Sequence, residues 1–255
     1  MKLADLGGAR IAYQDSGGGG AAVVFMHPAS CDSRIWEYQA PAIAAAGLRF
    51  IAWDRRGYGR SDAQPGIAAD DLEALRAHLG IERFHLVGTA AGGIAALDYA
   101  LSFPQRLKSL VVANSIAGVQ DEDYLELGRR LRPAPQFGAL PAEFRELGPS
   151  YRAANAAGMR RWVEMEHAGR PHAPPASPPA MRNRITFALL ETIRTPTLLI
   201  TGDADLYMPL PVLRMFAARI RNCETLVVPE TGHSAYWERP ETFNRAVIDF
   251  VQKHQ

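Results

Sequence analysis

Three short segments carry the residue types that chemistry would need. LVVPETGHSAYWERP (226–240) holds His233 in a loop after an apolar run, and LLITGDADLYMP (198–209) holds Asp203 and Asp205 after another. A carboxylate beside an imidazole fixes its tautomer and stabilises the imidazolium, so such a pair can take a proton from a nucleophile. The third segment, HLVGTAAGG (85–93), runs from apolar residues into very small ones, with Gly88, Gly92 and Gly93 around position 90. This is the G-x-S-x-G layout, in which a sharp strand-to-helix turn holds a nucleophile out above a sheet. Position 90 is Ala, so the turn is present and the nucleophilic oxygen is not.

Each segment needs a strand behind it. AAVVFMH (21–27), RFIAWD (49–54), RFHLVG (83–88), LKSLVVANS (107–115), TPTLLITGD (195–203) and ETLVVPE (224–230) are apolar, β-branched runs, as expected of strands buried on both faces. ARIAYQD (9–15) is a further strand, and SGGGG (16–20) reads as its hairpin turn rather than a phosphate loop, because no GxGxxG spacing accompanies it. Helical patterns lie between, over 36–46, 70–79, 91–103, 210–220 and 240–251. Strands alternating with helices predict a parallel sheet with right-handed crossovers. The stretch between about Ser115 and Thr195 breaks this rhythm with amphipathic helices and a Pro-rich run, RPHAPPASPP (170–179), expected to stiffen it. It reads as a helical insertion over the edge of the sheet where open α/β sheets bind ligands.

Composition narrows the function classes. The chain has 255 residues, 28 Lys plus Arg and 27 Asp plus Glu, for a net charge of +1. That balance leaves no broad footprint for nucleic acid or an acidic membrane. Two cysteines, Cys31 and Cys223, make no disulfide framework and fit a reducing compartment. MKLADLGGARIAYQ lacks the apolar centre of a secretion signal, and no apolar run is long enough to span a bilayer, so a cytoplasmic protein is expected. No His/Cys/Asp cluster has metal-ligand spacing, and neither a metal nor a cofactor is expected.

Taken together, these segments resemble the α/β-hydrolase fold family over nearly the whole chain. FMHPASCDSRIW (25–36) resembles its oxyanion loop and AWDRRGYGRSD (52–62) its D-x-R-G-x-G-x-S segment; the elbow and the G-x-x-D…G-H pair complete the set, in the family's order. The resemblance implies a mostly parallel central sheet flanked by helices, with residues 1–118 and 191–255 as the core and 119–190 as a helical lid. It also implies that Asp205 rather than Asp203 is the acid, His233 the base and position 90 the nucleophile site. The backbone N–H groups of Ala29 and Ala91 would form the oxyanion hole. Pro28 stands where the family usually has Gly; proline has no N–H, but the family's donor is the following residue.

The implied activity is hydrolysis of a small, largely apolar ester or lactone by a Ser-His-Asp type mechanism. Ala90 leaves three readings open: an inactivated Ser→Ala variant, a homologue that binds a small molecule without cleaving it, or a cofactor-free enzyme using His233–Asp205 as a general base. The first is favoured, because a non-Gly residue at an elbow is strained and a chain released from catalysis gains by drifting to Gly. Ser30, Trp162, Met165, His167 and Tyr236 are candidate substrate contacts; Trp162 and Met165 share a helix face at i, i+3. Asp203 reads as a turn acceptor and Cys31 as a small buried residue. Arg129, Arg130, Arg160 and Arg161 read as a solvated face. A homodimer stays open.

Overall fold

A computed structural model describes residues 1–131, 135–171 and 180–255. Its eight strands form one sheet in the order β1-β2-β4-β3-β5-β6-β7-β8. β1 (Lys2–Leu6) and β2 (Ala9–Asp15) make an antiparallel hairpin, and β2 pairs antiparallel with β4 (Arg49–Trp53). From β4 onward β3 (Ala22–Met26), β5 (Phe84–Thr89), β6 (Leu107–Ala113), β7 (Thr197–Gly202) and β8 (Cys223–Val228) run parallel. β3, β5 and β7 are buried at every position, which is why they read as continuous runs and not as alternations. Their side chains divide between two apolar clusters: Val24, Met26, Leu86 and Leu199 pack on one face, Val23, Phe25, Val87 and Leu198 on the other.

One turn expectation fails. Residues 16–20 join β2 to β3, which are not neighbours, because β4 lies between them. The chain there crosses the start of β4: a Cβ on Gly20 would lie 2.0 Å from the carbonyl oxygen of Gly47. The glycines are a crossing, and the hairpin turn is at Gly7 and Gly8, both at positive φ.

The helices fall close to their expected spans: α2 (Ala68–His78), α3 (Ala91–Ser102), α9 (Leu210–Ala217) and α11 (Pro240–Lys253). The pattern over 36–46 splits into a 3₁₀ turn (Ser33–Trp36) and α1 (Gln39–Ala45). Pro41 explains the break: it has no N–H to give to a preceding turn, and is tolerated only within the first turn of a new helix. Between β6 and β7 the insertion folds as α4 (Glu122–Leu131), α5 (Ala142–Glu146), α6 (Pro149–Ala154), α7 (Ala156–Gly169) and α8 (Phe187–Leu190). The Pro-rich run falls, over 172–179, outside the described residues. The chain returning from it is tied to α3 by Asp98, which accepts the backbone N–H groups of Arg182 and Asn183, each at 2.9 Å. α10 (Ala235–Glu238) closes the loop that carries His233. Among the described residues no helix is long and apolar enough to cross a membrane.

Candidate active site

The turn between β5 and α3 is built by exclusion. A Cβ on Gly88 would lie 2.4 Å from the Gly92 carbonyl oxygen, and one on Gly92 would lie 2.2 Å from the Met26 carbonyl oxygen. Both contacts are with backbone, which cannot swing aside. Ala90 stands at the apex with φ 49° and ψ −117°, a conformation L-residues rarely adopt. Its N–H donates to the Ala113 carbonyl at 3.0 Å, and its own carbonyl accepts from Gly93 N at 3.0 Å and Ser115 Oγ at 2.7 Å. Ala91 opens α3, so its N–H has no partner within the helix. Ala90 and Ala91 are half-buried and Ala29 is exposed, so this corner is reachable from solvent.

Beside the elbow, the loop after β3 is held by a buried polar knot. The Pro28 carbonyl accepts from Arg55 Nη2 at 2.8 Å and faces His27 Nδ1 at 2.7 Å, while His27 Nε2 accepts the Arg55 N–H at 3.0 Å. A carbonyl only accepts, so His27 is the neutral Nδ1–H tautomer. Burial, reinforced by the nearby Arg55 charge, pushes its pKa well down and agrees with that. In a trans peptide the C=O and the next N–H point in opposite directions. Two donors on the Pro28 carbonyl therefore aim the Ala29 N–H away from Arg55 and His27.

Asp205, not Asp203, is the carboxylate against His233: both its oxygens lie 2.9 Å from His233 Nδ1. Asp205 is fixed by Tyr207 N at 2.8 Å and Met208 N at 3.0 Å on Oδ1, and by Asn114 Nδ2 at 2.9 Å on Oδ2. Burial alone would raise its pKa; His233, Asn114 and the Met208 N–H outweigh that and hold it below the usual carboxylate range. Burial alone would likewise lower His233, and the Asp205 charge and hydrogen bond raise it instead. With Nδ1 taken by Asp205, Nε2 makes no hydrogen bond among the described residues. The Tyr207 ring lies 4.6 Å from the imidazole, centroid to centroid. Asp203 is exposed and its side chain accepts no hydrogen bond from the described residues, so it is not the turn acceptor its position suggests.

The candidate substrate contacts separate. Trp162, Met165 and Tyr236 are buried in one apolar cluster with Cys31 and Trp36, and Ser30 is half-buried beside them in sequence. His167 is not with them: its side chain is 63% exposed and lies 3.6 Å from Glu166. Five residues on from Trp162 a helix has turned to another face, which is the physical reason. Cys31 is buried, and burial raises its thiol pKa far above the range of a reactive thiolate. Arg129 and Arg130 pair with Glu126 in solvent, and Arg161 with Glu37 and Glu164.

At the contact between α7 and the His233 loop, the buried polar ends of Trp162, Ser234 and Tyr236 meet one another, Ser234 and Trp162 opposing the rise that burial gives the Tyr236 phenol, while the buried Trp36 Nε1 has no hydrogen-bond partner among the described residues. Sequence reasoning did not single out these donors as a set, nor Arg55, Glu146, Tyr207 or Glu238. Their partners are remote in sequence, and a lone Trp or Glu gives no local signal. A separate groove of about 600 Å³ opens between α4, α8 and α9, lined in part by Asp121, Tyr124, Phe187 and Arg219, and touches neither Ala90 nor His233. Among the described residues no group of three or more His, Cys, Asp or Glu could hold a metal ion.

Comparison with known proteins places the fold. RutD of Caulobacter sp. (strain K31), named for carbamate hydrolysis, is 34% identical over 229 residues, covering 84% of this chain and 85% of its own. The 2-hydroxy-6-oxononadienedioate/2-hydroxy-6-oxononatrienedioate hydrolase of Paraburkholderia xenovorans (strain LB400) is 29% identical over 265 residues, covering 96% and 91%. A thermophilic esterase from Thermogutta terrifontis superposes with a TM-score of 0.80 at 27% identity, covering 97% of this chain and 95% of that one. Est816, an N-acyl homoserine lactone degrading enzyme, superposes with a TM-score of 0.81 at 26% identity, covering 98% and 100%. The profile of the alpha/beta hydrolase fold matches residues 17–240. A glycine-bound elbow between β5 and α3, an acid after β7, a histidine after β8 and relatives that are hydrolases lead to one statement: the chain belongs to the α/β hydrolase fold family.

Proposed function

We propose that the site takes a small, largely apolar ester or lactone, and that Ala90 stands where such an enzyme carries its nucleophilic serine. The observation that carries this reading is the Asp205–His233 pair with Nε2 left open, tied through Asn114 to the same end of β6 that holds the strained elbow through Ala113 and Ser115. In the serine form, Oγ would attack the carbonyl carbon and pass its proton to His233 Nε2. The N–H groups of Ala29 and Ala91 would hold the oxyanion. His233 would return the proton to the leaving oxygen, and water, activated by the same nitrogen, would release the acid and restore the hydroxyl. The insertion over 119–190 acts in this reading as a lid on a core of 1–118 and 191–255.

The chain as it stands binds such a compound and turns it over about 10⁶-fold more slowly than the serine form, the loss seen when a triad loses its nucleophile. Ala90→Ser tests this, with p-nitrophenyl butyrate as substrate and a fluorophosphonate probe as label. Turnover and labelling both gained, and both lost again with His233→Ala, are expected. Neither gained in a folded protein refutes the reading. The open Nε2 also favours a second reading, in which His233–Asp205 acts as a general base without a nucleophile. That reading requires turnover of a substrate by the Ala90 chain itself, abolished by His233→Ala.

A further inference from the structure

Glu238 is a buried carboxylate with no cation on it among the described ion pairs. It is filled instead by backbone N–H groups from two separate parts of the chain. Gly148, at the start of α6 in the insertion, donates to Oε2 at 2.8 Å. Gly232 donates to Oε1 at 3.0 Å and Oε2 at 3.1 Å, and Ser234 to Oε1 at 3.4 Å. Gly232 and Ser234 are the two neighbours of His233. His233's own N–H donates to the Glu146 carbonyl at 2.7 Å, so the segment 146–148 lies directly along 232–234. The approach is too close for side chains: a Cβ on Gly232 would lie 2.5 Å from Gly148 N, and one on Gly148 would lie 2.9 Å from Gly232 N.

We propose that Glu238 is a positioning residue that latches the insertion to the His233 loop, so that the insertion and the imidazole move as one unit. Oε2 takes the N–H groups of Gly148 and Gly232 together, and Oε1 those of Gly232 and Ser234. Displacing α5 and α6 therefore takes the Glu146 carbonyl from the His233 N–H, and takes from Glu238 the donor that helps hold its carboxylate against both neighbours of the imidazole. A site with its insertion lifted is then also a site with a loosened histidine. Productive geometry exists only in the closed form, and open substrate-free protein is disarmed. This coupling does not depend on which compound the site hydrolyses, or on what residue stands at position 90.

The groups facing Glu238 are Asp205 after β7, His233 and Arg239 beside it in the chain, and Tyr151 on α6, with Glu146 at the far end of the strapped segment. Burial pushes the Glu238 pKa up to about 7, which brings its titration into an accessible range.

Two measurements on the Ala90 protein test the latch. In Glu238→Ala, amide hydrogen exchange at Gly148, Gly232 and Ser234 is expected to quicken together, by about 10- to 100-fold, the range for a lost charge-assisted bond. Amides in β5 and β6 should stay as they are. His233, read by its imidazole resonances, is expected to titrate at a lower pH in Glu238→Gln, a change that loss of packing alone would not produce. Unchanged exchange at Gly148 in a folded variant overturns the latch. Should neither variant fold, the Ala90 protein with Glu238 in place decides. The Glu238 carboxyl carbon and the Gly148 amide must then shift with a common midpoint. A Gly148 amide that ignores that titration overturns the proposal.

Discussion

Replacing Ala90 with glycine asks whether the elbow's strain is real. At φ 49° and ψ −117° a non-Gly residue bears about 1–3 kcal/mol of conformational strain. Glycine removes it. Against this stands the greater freedom of glycine in the unfolded chain, about 0.5–1 kcal/mol. The half-buried methyl group contributes less than about 0.8 kcal/mol. With mid-range values, Ala90→Gly is expected to stabilise the fold by about 1 kcal/mol, raising Tm by about 2–4 °C for a chain of this size. Ala100, buried inside α3 with ordinary helical geometry, is the internal control. There the same change costs about 1 kcal/mol in helix propensity, with lost packing added. Urea unfolding of the two variants beside the parent, compared at common m, reads both signs. Were Ala90→Gly to destabilise as much as Ala100→Gly, the strain argument would be refuted, and with it the reason for reading Ala90 as displaced from a serine.

The remaining predictions concern the parts around the elbow. Gly92→Ala drives a Cβ to 2.2 Å from the Met26 carbonyl oxygen and is expected to destabilise by about 3 kcal/mol, read by urea unfolding. Asp205→Asn removes the charge that opposes burial, so the His233 pKa should fall from above 6.5 to below it in an NMR titration. Because the folded pKa of His233 is raised, its contribution to stability is fully present below pH 6.5 and is lost as pH rises through the folded value; urea midpoints from pH 5 to 9 should show that decline, and Asp205→Asn should flatten it. In the Ala90→Ser background, Arg55→Met removes one of the two donors on the Pro28 carbonyl and should lower kcat about tenfold with little change in KM, less than outright loss of an oxyanion donor.

What local sequence carries is legible, and what depends on a distant partner is not. β3, β5 and β7 announce themselves because burial on both faces makes a largely apolar run, and β6 does so from Leu110 onward. β1 goes unseen because it has five residues and only Ala4 and Leu6 are buried. The SGGGG run misleads because glycine marks close approach as well as turning, and only the strand order shows which. Trp162 and Met165 follow from helical period, and the same period, applied strictly, places His167 on another face. Asp205 and His233 carry motif context. Glu238 and Arg55 carry none: Glu238 meets Gly148 across 90 positions and Arg55 meets Pro28 across 27, and no window of sequence spans such pairs.

Asn114 ends β6 at positive φ and sets its amide nitrogen 2.9 Å from Asp205 Oδ2 and 3.2 Å from the Gly232 carbonyl. Asn and Asp differ by one terminal atom. Two adjacent strand ends therefore meet through one hydrogen bond, with the carboxylate on one and its neutral isostere on the other. Exchanging Asn114→Asp with Asp205→Asn would keep both shapes and move only the charge, which separates what the carboxylate's shape does for the loop from what its charge does for the imidazole.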